Sequence, residues 1–186
     1  MGGRIILGAG EQTWDGWTAT QREQLDLTDP ESFARFSGAE LADAFLCEHV
    51  WEHLTLPQGQ AAARLCWRYL QRGGVLRVAV PDAFFLDAGY QCTVQVGGPG
   101  SADHPAADHQ IVYDAQTFAG VFTQAGFEVT LLEYHDPSGQ FCFQPWSPEA
   151  GPVYRSALLD HRNTDYRAGW GPLGFASIIL DACKPT

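Results

Sequence analysis

The stretch Glu48-His49-Val50-Trp51-Glu52-His53-Leu54 carries the densest chemistry in the chain. Imidazoles and carboxylates are the side chains that bind divalent ions and move protons near neutral pH. His49-x-x-Glu52-His53 has the spacing of an H-x-x-E-H metal signature. That reading needs both histidines on one face of a helix and a further ligand from elsewhere in the chain. The neighbouring residues support a second reading. Ala44-Phe45-Leu46-Cys47 is an apolar run of strand character directly before Glu48, and Thr55-x-Pro57 starts a helix after Leu54. On this reading the stretch is the tip of a buried strand and its turn. Glu48 and His49 then border a pocket, and Glu52 and His53 belong to the architecture of the turn.

Further polar and aromatic groups lie downstream. His104, Asp108, His109 and Tyr113 form a polar cluster. Phe141, Phe143, Trp146, Tyr154, Tyr166 and Trp170 concentrate aromatic surface. The aromatics read equally as a plug over one edge of a sheet or as a pocket wall suited to a cationic amine.

The elements that must position these groups follow from hydrophobic pattern and turn chemistry. Arg4–Leu7 reads as a short buried strand running into Gly8-Ala9-Gly10. A second strand is expected around Trp17–Thr20 and a short third one at Leu25–Leu27. Thr28-Asp29-Pro30-Glu31 predicts a helix start with Thr28 as cap and Glu31 in box position, ending near Gly38. The helix opened by Pro57 has an apolar stripe of Ala61, Ala62, Leu65, Cys66, Tyr69 and Leu70, and Gly73-Gly74 stops it. Val75–Val80 is the next strand, closed by Pro81-Asp82. Asp114 caps a helix with Phe118, Val121 and Phe122 facing inward, and strands follow at Phe127–Tyr134 and Ala176–Ala182. Strands alternating with helices predict a parallel α/β sheet. The segments 83–113 and 135–172 read as irregular and exceed ordinary connections, which marks them as substrate or lid loops.

Composition sets the outer limits. The chain of 186 residues is expected to form a single domain, residues 1–186, with a core of its own. A formal charge of −11 repels phosphate backbones and speaks against broad binding to nucleic acid or anionic membrane. The five cysteines are scattered without a C-x-x-C pair, as reduced and mostly core thiols of a cytoplasmic protein would be. No signal-peptide pattern and no run of ~18 apolar residues is present, so no membrane segment is expected.

Taken in order, strand–Gly-x-Gly, "CEHVWEHL", "YLQRGGVLRVAVPD" and "DAQTFAGVFTQAGFEVTLLEYHD" form a series that resembles the small class I S-adenosylmethionine-dependent methyltransferases over nearly the whole chain. The resemblance implies a Rossmann-like, seven-stranded, mostly parallel sheet with an antiparallel last strand, helices on both faces and a shortened N-terminus. It implies S-adenosylmethionine as cofactor, bound at the carboxyl ends of the first strands. Gly8, Ala9, Gly10 and Glu11 would pass under its methionine part. Gln21 falls where the ribose acid is usual. Asp26 and Leu27 fall at the adenine, and Cys47, Glu48 and His49 beside the sulfonium. His109, Glu48 and His49 are the expected catalytic residues, and Asp82, His104, Tyr113 and Trp146 the expected substrate contacts. His109-x-x-x-Tyr113 also matches a pattern of the family, with a structural role as its other reading. No metal is required on this reading.

The methyl acceptor would be a small molecule or a protein, and a second copy of the chain in a homodimer is one way to roof the pocket. The sequence departs from the family at the missing third glycine of the loop, at the absent ribose acid and in the short N-terminus. These departures keep open a degenerate methyltransferase fold acting as a binding protein. The H-x-x-E-H spacing keeps open a metal-dependent hydrolase.

Overall fold

The computed structural model describes residues 3–37, 40–159 and 176–186. Seven strands form one mixed sheet. In chain order they are β1 (Arg4–Ile6), β2 (Trp17–Ala19), β3 (Ala42–Glu48), β4 (Leu70–Pro81), β5 (Glu128–His135), β6 (Phe141–Phe143) and β7 (Ser177–Cys183). They lie side by side as β2-β1-β3-β4-β7-β5-β6. The first four in that series pair in parallel, and β7 runs antiparallel between β4 and β5. β6 is also antiparallel, against β5. The described helices are α1 (Pro30–Ser37), α2 (Leu56–Tyr69), α3 (Ala88–Val94) and α4 (Ala115–Thr123). None of them is long and apolar enough to cross a membrane.

The local signals act as their chemistry requires. The Gln58 amide oxygen accepts from the Thr55 N–H at 2.9 Å and from the Thr55 hydroxyl at 2.7 Å, closing the start of α2. At α4, the Asp114 carboxylate accepts from the Thr117 N–H at 2.8 Å. At α1 the expected cap is displaced by one residue. Asp29 accepts from the Glu31 N–H, whereas the Thr28 hydroxyl donates to Asp26.

Three expectations about the sheet and its loops are corrected. Leu25–Leu27 is a turn and not a third strand: the Leu25 N–H bonds back to the Gln21 carbonyl, and both leucines reach the core from that turn. The seventh strand is β6 at the opposite edge, inside a segment read as irregular, and α3 likewise lies inside 83–113. Among the described residues, the three helices that join the sheet's main core do not lie on both faces. Among the described residues α1, α2 and α4 pack on one another and share a single apolar core with the sheet. The cause lies at Leu7–Gly16, where a parallel crossover ordinarily carries a helix. Here that connection is a run of turns and irregular backbone leading straight into β2. The opposite face, with Ile6, Leu46, Ala79, Leu132 and Ile179 and Trp17 of β2, is covered by Trp14, Trp146 and Val153 from loops.

A loop buried against a sheet brings backbone groups that need partners. Arg77, 2% exposed on β4, supplies the donors. Its guanidinium grips Asp181 of β7 with Nε at 2.7 Å and Nη2 at 2.8 Å, and donates from Nη1 to the carbonyls of Ser147 and Gly151 at 2.7 Å each. Trp146 lies over the same guanidinium, 4.8 Å from ring centroid to Cζ. Glu133 supplies acceptors, taking the Trp146 indole N–H at 2.9 Å and the Ala157 N–H at 2.7 Å. The segment 144–157 is therefore pinned to the sheet by buried charge.

Candidate functional site

The site lies at the carboxyl ends of β1, β3 and β4, where open parallel sheets place ligands. β1 ends in the glycine loop. Gly8 has φ +63 and Gly10 φ +56. A Cβ on Gly8 would come within 2.7 Å of Val50, so glycine is required there on two counts. A Cβ on Gly10 would meet nothing within 4 Å, which leaves that backbone open to a ligand. β3 ends at Glu48, and the next residue turns sharply. Among the described residues His49 is the one non-glycine with positive φ, at 55°. Such a conformation costs free energy in a residue with a Cβ and concentrates at functional sites. The His49 N–H stays bonded to the Ala79 carbonyl of β4 at 2.8 Å, which aims its ring across the sheet end.

Three cavities meet at His49. One, of about 520 Å³, runs along Gly8–Thr13 and is closed by Glu48, Tyr154 and Arg155. A second, of about 280 Å³, lies between Gly8 and Val50 on one side and Leu25–Thr28 on the other. A third, of about 390 Å³, is bordered by His49, Glu52, His53, His104, His109 and Arg155.

The expected cofactor residues divide among these spaces. Gly8, Ala9, Gly10 and Glu11 line the first cavity, and Asp26 and Leu27 line the second. Asp26 is held by its own turn: Oδ1 accepts from the Thr28 N–H and hydroxyl at 2.7 Å, and Oδ2 pairs with exposed Arg22 at 3.0 Å. Burial alone would raise its pKa, but these bonds outweigh that and hold the carboxyl below its ordinary range. Gln21 is exposed and donates its side-chain amide to the Gly10 carbonyl at 2.7 Å, so it props the glycine loop. The Cys47 thiol faces the helix-side core, where burial pushes its pKa well up.

Glu48 is buried and accepts three hydrogen bonds, from Gln12 Nε2 at 2.6 Å and from the N–H groups of Tyr154 at 2.9 Å and Arg155 at 2.8 Å. It clamps the glycine loop to the segment that covers the opposite face. Nothing in the sequence around Tyr154 and Arg155 announces this contact, because the segment has no periodicity.

The expected catalytic and substrate residues also separate. His49, His104 and His109 come together on the third cavity. Asp82 is fully buried behind it, accepting from the N–H groups of Phe84 and His135 and facing His135 Nδ1 at 3.0 Å. Tyr113 packs on Phe118 in the core, and Trp146 lies on Arg77 on the loop-covered face. The structure brings none of these last three to the cavity lining. Of the aromatic residues noted at 135–172, Tyr166 and Trp170 lie outside the described residues.

Glu52 and His53 are more prominent than their turn position suggests. The 3-10 turn Trp51–His53 is anchored by fully buried Trp51, whose indole N–H donates to the Gly59 carbonyl at 3.2 Å. Glu52 is 1% exposed. Its carboxylate lies 3.1 Å from His49 Nδ1, within ion-pair distance, while His49 Nε2 lies 3.0 Å from the Ser177 hydroxyl oxygen. Burial opposes its ionisation, and the imidazoles of His49 and then His53 outweigh that, holding its pKa down.

No family model matches the chain, and no curated protein matches it. Solved structures do. An S-adenosylmethionine-dependent methyltransferase from Archaeoglobus fulgidus superposes with a TM-score of 0.55 at 11% identity, over 98% of this chain and 86% of that one. A chain from a Haloferax volcanii complex of a methyltransferase activator with a methyltransferase gives 0.52 at 12%, over 100% and 84%. An O-methyltransferase family protein from Burkholderia thailandensis gives 0.49 at 10%; 92% of this chain is covered, spanning 36% of that chain. The first two establish a methyltransferase fold. Among the described residues β2 and β6 are the two edges of the sheet, so the expected strand at Leu25–Leu27 does not extend it beyond β2.

Proposed function

We propose that this domain binds S-adenosylmethionine and transfers its methyl group to a small-molecule or protein acceptor. The observation that carries the reading is the junction at His49. The glycine-loop cavity and the Asp26 cavity share Gly8 and His49, forming one groove, and the third cavity opens from the same histidine. An elongated cofactor and its acceptor need that arrangement.

The residues suit the cofactor. Gly10 leaves backbone exposed to the methionine part, and Arg155 stands beside it as a cation for a carboxylate. Asp26 and Leu27 offer a carboxylate and a backbone N–H to the adenine edge. The cofactor supplies an activated methyl group on a sulfonium, and the chain supplies alignment and exclusion of water. Glu48 holds the loop and Arg155 in register, which orients the groove. Where the acceptor carries a proton, the imidazoles bordering the third cavity are placed to take it: His49, His104 and His109.

Calorimetric titration with S-adenosylhomocysteine tests this directly. Saturable 1:1 binding, weakened by Arg155→Ala and by Asp26→Ala, is expected. At ~100 times the dissociation constant the ligand raises stability by about 2.7 kcal/mol. Absence of binding by the unmodified chain overturns the reading. Binding without turnover across hydroxyl, amine and thiol acceptors points instead to a binding protein on the same fold.

A further inference from the structure

Glu52 is a buried carboxylate with neither oxygen in a hydrogen bond among the described residues. Buried polar groups are paired in native proteins, and a buried anion left without donors is expensive. A group of this kind calls for a positive partner. His49 Nδ1 is one such partner, at ion-pair distance of 3.1 Å, and it faces only one of the two carboxylate oxygens. Two more imidazoles stand on the cavity side, those of His53 and His109. One ligating atom from each of Glu52, His53 and His109 lies within 4.8 Å of the others.

The hydrogen bonds of the two rings settle which nitrogen each presents. His109 Nδ1 lies 2.8 Å from the Val94 carbonyl oxygen. A carbonyl only accepts, so Nδ1 carries the proton and Nε2 keeps its lone pair. His53 Nδ1 lies 2.6 Å from Asp108 Oδ1, and a carboxylate likewise takes the Nδ1 proton. Both rings are thus held from behind through Nδ1, with Nε2 left as a ligand. This is how metal-binding histidines are oriented and made more basic, by a carbonyl in one case and a carboxylate in the other. The rings meet edge to face with centroids 4.8 Å apart.

The backbone holds the cluster together as well. The Glu52 carbonyl accepts from the N–H groups of Gln110 at 2.8 Å and Ile111 at 3.3 Å, which fixes the His109 segment beside the 3-10 turn. Gly97 N–H donates to the His109 carbonyl at 3.1 Å and closes the other side. The cavity of about 390 Å³ in front leaves room for further ligands.

We infer that Glu52, His53 and His109 form a binding site for a divalent first-row transition ion, with open coordination positions facing the cavity. Two imidazoles and one carboxylate suit zinc, manganese or iron(II) better than calcium or magnesium, which prefer oxygen donors throughout. The ligand set differs from the H-x-x-E-H spacing in the sequence. His49 lies outside it, and its place is taken by His109, a loop residue 56 positions beyond His53. The site stands without the methyl-transfer reading. Combined with that reading, it selects acceptors that offer an oxygen donor, such as a hydroxyl, to an ion whose charge lowers the pKa of what it binds. His49 then remains to take the proton.

The test uses the untagged full chain, dialysed against a chelator and titrated by calorimetry with Zn²⁺ and separately with Mn²⁺, without cofactor. One equivalent of at least one ion is expected to bind and to raise the melting temperature. Glu52→Gln and His109→Gln should abolish both effects. Asp108 is exposed, so Asp108→Ala keeps the fold, and loss of the group behind His53 should weaken binding about 10–100-fold. Failure of both ions to bind, or binding that survives Glu52→Gln and His109→Gln unchanged, overturns the site. Because no cofactor is added, that failure leaves methyl transfer standing, and failure to bind S-adenosylhomocysteine leaves the metal site standing.

Discussion

The two faces of the sheet are built on different physics. On the helix side Phe118 and Phe122 of α4, Ala62 and Cys66 of α2 and Phe33 of α1 bury apolar surface against Phe45, Val78 and Leu180. Burial of that kind is non-directional and tolerates volume-conserving exchange. On the other side a loop lies on the sheet, held by one guanidinium and two carboxylates at fixed distances and angles. Directional bonds in a dry setting are unforgiving, because a lost partner leaves a buried group unpaired. This difference explains why the groove along the glycine loop sits where it does. The directional face is the one that delivers Tyr154 and Arg155 to the glycine loop, a placement that apolar contact alone would leave loose.

The largest effects should come from the centre of each face. Arg77→Met is expected to cost about 3–5 kcal/mol in urea denaturation, since Asp181 loses its partner and two carbonyls lose their donor. Replacing the pair together, Arg77→Met with Asp181→Leu, should recover only part of that, because the Ser147 and Gly151 carbonyls stay unpaired. Full recovery breaks the comparison. Phe122→Ala should cost a similar ~3–5 kcal/mol through the cavity it leaves. Hydrogen exchange separates the two: Arg77→Met should expose the amides of 144–157 selectively, whereas Phe122→Ala should lower protection throughout the core.

Smaller effects are expected at the other contacts of the loop that Arg77 holds. Glu48→Gln weakens acceptance of three hydrogen bonds and should cost roughly 1.5–3 kcal/mol, with faster exchange at the Tyr154 and Arg155 amides. Unchanged exchange there would remove the clamp. Trp146→Phe keeps the ring over Arg77 but loses the N–H to Glu133, for about 1 kcal/mol. The smallest effect lies outside both faces. The Asp26 pKa is depressed in the folded chain, so its charge contributes stability above the ordinary carboxylate range and loses it as pH falls through the folded value. The melting-temperature gap between the unmodified chain and Asp26→Asn should therefore be present near neutrality and shrink in acid. A gap independent of pH would show that the turn does not depend on the charge.

Much of this was legible in residue order. The capping residues Thr55 and Asp114, the α2 stripe as far as Tyr69 and the strand before Glu48 are local signals that the structure realises; the helix stop is not, because α2 ends at Tyr69 and Leu70, Gly73 and Gly74 already belong to β4. Leu25–Leu27 misled because alternating apolar residues serve a turn as well as a strand when no partner edge engages them. β6 was hidden because its exposed residues Phe141 and Phe143 carry no burial pattern. At the candidate site the glycine loop and His49 could be placed from sequence. The importance of Glu52, and the convergence of His53 with His109, could not.

Residue order alone carries the α/β architecture, its apolar face and the neighbourhood of the glycine loop, because helix period, strand runs and caps act over a few residues. Only the tertiary structure decided what covers the other face and which polar groups meet. Glu48 reaches Tyr154 across 106 positions and Arg77 reaches Gly151 across 74. No local propensity encodes such pairs. They exist because folding removes water from these groups, and each then has to find its partner within the chain.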